Sequence, residues 1–178
     1  MKLLCPNEII SSISHLDFES LKNLGIKGIL MDLDNTLVGW DSQQLSDEFN
    51  TWLRLAKKNE FKLCLVSNGV PCRVRQFGKE LEIPAVVRAL KPRRRPFCQA
   101  LHLLKLSSDQ VVMVGDQIFT DVFGANRLGI RSILIDPLSE KELRSTQFVR
   151  KLERYMLRRF VKKGWISGEV VNRRIGGL

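Results

Sequence analysis

Two aspartates, Asp32 and Asp34, follow directly on the apolar run Ile29-Leu30-Met31. Further along, Ser67-Asn68 follows Leu63-Cys64-Leu65-Val66, and Lys91-Pro92 comes after the stretch beginning at Ala85. Gly115-Asp116 then follows Val111-Val112-Met113-Val114, with Thr120-Asp121 close behind. Carboxylates can attack, shuttle protons or bind a hard cation, while a hydroxyl, an amide and a lysine can hold anionic oxygens. Taken singly, each group has an ordinary explanation. Asp32 and Asp34 suit a turn, Ser67-Asn68 and Asp116 suit caps, and Lys91 suits a solvated surface. Together they call for more, because all four groups fall at the ends of consecutive apolar runs. That is where an open parallel sheet gathers a site.

The elements that must position these groups are legible in the periodicity. Strands are expected over 26–31, 61–66, 85–90, 111–114 and 130–135. Between them fall helical stretches around 45–59, 74–81, 97–106 and 121–128, with a shorter one capped by Asp17. In the 45–59 stretch, Phe49, Trp52, Leu53 and Ala56 share one face. Strands that alternate with helices, and that are apolar almost throughout, imply a doubly wound, mainly parallel α/β sheet covered on both faces. The expected division is a domain over 1–138 and a basic helix and tail over 139–178.

Asp32-Leu33-Asp34-Asn35-Thr36-Leu37, Ser67-Asn68, Lys91-Pro92 and Gly115-Asp116 through Asp121 resemble the four motifs of the haloacid dehalogenase-like (HAD-like) phosphohydrolases. The resemblance covers about residues 26–136. Within subfamily IIIA, the stretch from Pro6 to Leu37 is similar to the YqeG-like group and the phosphatidylglycerophosphate phosphatases. The resemblance implies a Rossmann-like fold and a magnesium-dependent phosphatase. It implies Asp32 as nucleophile, forming an aspartyl-phosphate, and Asp34 as the acid and then the base. It implies Mg2+ held by Asp32, the Asp34 carbonyl and Asp116. Ser67 would hydrogen-bond a phosphoryl oxygen and Asn68 would help orient it, Lys91 would offset the charge on the transferring group, Thr36 would support the turn and bond Lys91 or the phosphate pocket, and Asp121 would position Lys91 or a metal-bound water.

Too few residues separate Asp34 from Ser67, or Ser67 from Lys91, to hold the cap domain with which family members usually select substrates. An open site favours a bulky or surface-bound substrate such as a phospholipid head group. Arg93, Arg94 and Arg95, next to Lys91-Pro92, are expected at the rim, where arginine forks suit a second phosphate. Trp40 lies in the flap after the first motif, where substrate contact and packing at the sheet edge are both open.

The chain of 178 residues carries a net charge of +10, and residues 141–178 hold eleven Lys and Arg against three acids. A helix over about 139–164 places Leu143, Val149, Leu152, Met156 and Val161 on one side, broadened by Leu157 and Phe160. Three readings stand open: a helix packed on the domain with a solvated basic face, an interfacial helix on anionic lipid, or a nucleic-acid contact. Trp165 suits an interface anchor. Cys5, Cys64, Cys72 and Cys98 have no C-x-x-C pairing, and His15 and His102 have no ligand spacing. No apolar run approaches the ~18 residues of a membrane span, and no signal peptide is visible. A cytoplasmic protein, peripheral on a membrane, is expected, with its oligomeric state open. The leading expectation is hydrolysis of phosphatidylglycerophosphate to phosphatidylglycerol. The rivals are a phosphatase acting on a protein, nucleic-acid end or small metabolite, and a non-enzymatic nucleic-acid or ribosome-binding module. A receiver domain fits poorly, because Asp34 is a device for completing hydrolysis.

Overall fold

The computed structural model describes residues 1–39, 44–139 and 144–174. Six parallel strands form one sheet in the order β1-β6-β5-β2-β3-β4. They are β1 (Glu8–Ile10), β2 (Gly28–Met31), β3 (Lys62–Val66), β4 (Ala85–Val86), β5 (Val111–Gly115) and β6 (Arg131–Ile135). From β2 the chain winds outward through β3 and β4. It then returns to the other side of β2 for β5 and β6. The reversal lies between β2 and β5, the position where such sheets open a crevice at their carboxyl ends.

The helices are α1 (Phe18–Asn23), α2 (Asp47–Lys58), α3 (Pro71–Glu80), α4 (Arg94–Leu104), α5 (Phe123–Asn126), α6 (Arg144–Lys162) and α7 (Gly168–Arg174). Their starts follow local chemistry. Asp17 accepts from the Glu19 and Ser20 amides at α1, Ser46 accepts from Phe49 at α2, and Pro71 opens α3. Along β2 the side chains alternate between the faces. Ile29 and Met31 join Phe49, Trp52, Val74 and Phe77 from α2 and α3, whereas Leu30 joins Phe97, Ala100 and Ala125 from α4 and α5.

The structure departs from the expected elements at several points. β1 was not anticipated, since only Ile9 and Ile10 are apolar and three residues show no period; pairing with β6 makes it a strand. The strand expected over 85–90 ends at Val86, and Arg88 and Leu90 have positive φ. The helix expected over 121–128 is a π-helical turn (Ile118–Val122) leading into the four-residue α5. α4 begins three residues early, so Arg94 and Arg95 form its first turn.

α6 packs its apolar side on the domain. Met156, Leu157 and Phe160 join Ile9, Leu134, Ile118, Val122 and, from α7, Val171. The buried face differs from the expected stripe: Leu152 is 45% exposed, while Glu153 takes an inward position at 2%. Trp40 and Leu143 lie outside the described residues. Between the first and second motifs the described residues contain α2 and β3, and between the second and third α3 and β4. No helix among the described residues is long and apolar enough to cross a membrane.

Candidate active site

Asp32 leaves the end of β2, Ser67 that of β3 and Asp116 that of β5, while Lys91 follows β4 after a short loop. All four side chains are buried, as are Asp34, Asn35, Thr36 and Asp121. The turn after β2 is closed by the amides of Leu37 and Val38 on the Leu33 carbonyl and by Asn35 on that of Val38. Asn35 adopts positive φ and exchanges two hydrogen bonds with the Ser139 backbone, tying this turn to the chain beyond β6.

At the centre, Lys91 Nζ lies 2.6 Å from Asp32 Oδ1 and 2.6 Å from Asp121 Oδ1. Carboxylate oxygens of Asp32, Asp116 and Asp121 lie within 4.8 Å of one another. Burial pushes the Asp32 carboxyl up to about 6; Lys91 opposes the rise and Asp121 adds to it. Asp116 and Asp121 are raised by burial too, against the pull of Arg150 on the first and Lys91 on the second. Burial alone would depress the Lys91 ammonium, but Asp121 and Asp32 hold it above its ordinary value. This concentration of negative charge, built only from oxygen donors, fits a hard divalent cation. The expected metal set included Asp32 and Asp116; the geometry adds the Asp121 carboxylate beside them.

Hydroxyl and amide groups surround this centre. Thr36 Oγ1 donates to Asp116 Oδ1 at 3.2 Å, and Ser67 Oγ donates to Asp34 Oδ2 at 3.4 Å. Ser67 Oγ also accepts from the Gly69 amide. Asn68 is itself exposed, and its side-chain amide brackets the Lys91 backbone, accepting from the N–H at 2.8 Å and donating to the carbonyl at 3.2 Å. It thereby fixes the loop carrying Lys91. Arg93, Arg94 and Arg95 are exposed beside that loop, and Arg94 donates to the Arg127 carbonyl.

Several charged partners were not singled out in the sequence. Arg73, in the first turn of α3, places Nε 3.6 Å from Asp34 Oδ1 and donates to the Gly39 carbonyl. From α6, Arg150 pairs with the Asp116 carboxylate and donates to the Asp116 carbonyl at 2.6 Å. Arg174 of α7 donates to the same carbonyl at 2.9 Å. Nothing in the sequence separates Arg73 and Arg174 from their basic neighbours, whereas Arg150 stands three residues before Glu153 on the inward face of α6. Glu153 did leave a signal: it stands at the 3.6-residue spacing of Met156, Leu157 and Phe160, and an acid on an apolar helix face requires a buried partner.

Residues 1–139 match the family model described as mitochondrial PGP phosphatase. The chain belongs to this family. It is 37% identical over 168 residues to the probable phosphatase YqeG of Bacillus subtilis (strain 168), covering 94% of this chain and 98% of that one. To phosphatidylglycerophosphate phosphatase 1, chloroplastic/mitochondrial, of Arabidopsis thaliana it is 29% identical over 173 residues. That match covers 92% of this chain but 50% of the plant protein, so the chain spans about half the length of that relative. Among solved structures, a HAD phosphatase from Thermococcus onnurineus superposes with a TM-score of 0.56 at 15% identity, covering 67% of this chain and 90% of that one; the likeness shows the shared fold. The protein is thus a HAD-like phosphatase of the YqeG and PGP phosphatase group, an enzyme class that generally uses a divalent metal.

Proposed function

We propose that this phosphatase hydrolyses phosphatidylglycerophosphate to phosphatidylglycerol through an aspartyl-phosphate on Asp32. The observation that carries the chemistry is the cluster of Asp32, Asp116, Asp121 and Lys91 at the carboxyl edge of the sheet, with Asp34 two residues after Asp32. The Asp32 carboxylate attacks phosphorus, and the bond from phosphorus to the lipid oxygen breaks. Asp34 gives that oxygen its proton. In the second step Asp34 takes a proton from water, the water oxygen attacks phosphorus, and the bond to Asp32 breaks, releasing inorganic phosphate. Lys91 and Ser67 offset and orient the transferring phosphoryl oxygens. Thr36 and Asn68 hold Asp116 and the Lys91 loop in place. Mg2+ on Asp32, Asp116 and the Asp34 carbonyl would supply neutralisation of the negative charge shared by substrate and nucleophile.

The lipid assignment is supported by the activity for which the plant relative is named and by a site with no cap among the described residues. The exposed Arg93 and Arg95 suit a second phosphate of the head group. α6 turns Lys151, Arg154, Arg158, Arg159 and Lys162 outward, with Lys163 exposed just beyond its end, alongside exposed Leu152, Tyr155 and Trp165. Near an anionic leaflet each such cation contributes about 1 kcal/mol, enough together to hold a cytoplasmic protein peripherally on the membrane.

The test is phosphate release from phosphatidylglycerophosphate in mixed vesicles, with and without Mg2+, beside an Asp32→Asn protein and a soluble aryl phosphate. Metal-dependent turnover of the lipid that the variant lacks is the expected result. Turnover of the aryl phosphate alone would keep the mechanism and remove the lipid.

A further inference from the structure

We infer that Arg150 and Arg174, from the two C-terminal helices, are positioning residues for Asp116 and set the enzyme's affinity for its divalent cation. The inference rests on the metal-assisted reading above and assigns a role to a segment outside its four motifs. Arg150 bridges the side chain and main chain of one residue: Nη2 pairs with Asp116 Oδ2, and Nη1 donates to the Asp116 carbonyl at 2.6 Å. Arg174 Nη2 adds a second donor to that carbonyl at 2.9 Å. With Thr36 on Oδ1, both carboxylate oxygens of Asp116 and its carbonyl have defined partners. Rotation of the carboxylate is therefore opposed from two sides.

Charge balance decides the direction of the effect. An isolated arginine this close would repel a divalent cation. Each arginine here has its own acid: Arg150 Nη1 lies 3.0 Å from Glu153 Oε2, and Arg174 Nη1 lies 2.9 Å from Asp136 Oδ1. The two pairs therefore contribute hydrogen-bond donors with little added net charge. Glu153 also accepts from the Ile118 amide at 2.6 Å, just beyond Asp116. The pair consequently joins α6 to the loop that carries the ligand. Partners that orient a metal ligand typically matter by 10- to 100-fold in metal affinity or activity.

The experiment is calorimetric titration of the purified full chain with Mg2+, comparing wild type, Arg150→Met and Arg150→Lys. A lysine restores the charge but cannot bridge the carboxylate and the carbonyl. Both variants should bind Mg2+ about 10- to 100-fold more weakly. The Mg2+ needed for half-maximal turnover should rise by the same factor, with the KM for an aryl phosphate at saturating Mg2+ within about twofold of wild type. Unchanged or tighter binding in Arg150→Met would overturn the inference, as would full recovery in Arg150→Lys, which would mean that only charge matters. A wild-type protein that binds no Mg2+ would instead bring down the metal-assisted reading, and the inference with it. If Arg150→Met does not fold, Arg150→Lys decides alone, with near-wild-type affinity as the overturning result.

Discussion

Lys91 donates to Asp32 across 2.6 Å while both groups are nearly closed off from solvent. The same ammonium reaches Asp121 at 2.6 Å, so one cation holds two buried carboxylates from different loops. Lys91→Met removes that counter-charge and the donor for the transferring oxygens. Turnover of an aryl phosphate should fall about 10²- to 10³-fold. The metal-free variant should also lose about 3–5 kcal/mol of stability, measured by urea unfolding.

Asp34 separates from Asp32 in a way that depends on the substrate. A leaving group that is stable as an anion needs no proton, whereas an alkoxide does. Asp34→Asn should therefore reduce turnover of an alkyl phosphate by at least about 100-fold more than the first step on an aryl phosphate. On the aryl substrate it should release a burst of phenol, because the second step still needs a base. Rapid-quench kinetics reads both quantities. Equal losses on the two substrates and no burst would contradict these roles.

Gly69 is required by proximity. A Cβ at this position would stand 1.9 Å from Asp34 Oδ2 and 3.1 Å from Ser67 Oγ. Gly69→Ala must push the Asp34 carboxylate aside, and misplacement of about an ångström can cost 10²-fold. The expected result is a loss of that order in kcat, with the far-ultraviolet circular dichroism spectrum unchanged.

Metal and pH should act on stability together. The Asp32 carboxyl titrates near 6 in the fold against 3.8 as an ordinary aspartate. Its folded-state pKa is raised, so its contribution to stability is complete below pH 3.8 and is lost as the pH rises through about 6. Metal-free protein should lose stability across that window. Mg2+ at a hundred times its Kd adds about 2.7 kcal/mol, or roughly 5–10 °C in Tm for a chain of this size. The gain should be larger at pH 7 than at pH 5, since the ligands must be ionised. Differential scanning calorimetry with Mg2+ and with a chelator measures it.

The cysteines should divide by environment. Cys64 is fully buried in β3, and burial pushes its thiol up to about 12. Cys72 and Cys98 are exposed. Brief treatment with iodoacetamide at pH 8 should label the exposed pair and spare Cys64 until urea unfolds the chain, as peptide mass spectrometry would show.

The sequence by itself determined the parallel α/β architecture and the identity of the central groups. Apolar runs such as Leu63-Cys64-Leu65-Val66 have nowhere to be buried except between two helical layers, and the side chain that follows each run emerges at the sheet's carboxyl edge. Asp32, Ser67 and Asp116 were legible for that reason. What only the tertiary structure decided depends on contacts between distant residues. β1 exists through its pairing with β6. Asn68 turns its amide onto the Lys91 backbone 23 residues away. Arg150 shares the inward face of α6 with Glu153, but its partner Asp116 lies 34 residues away in sequence. A charge pattern records how many cations a helix carries. Which of them is drawn inward depends on the buried carboxylate that the folded sheet brings opposite it, and that pairing has no local signature.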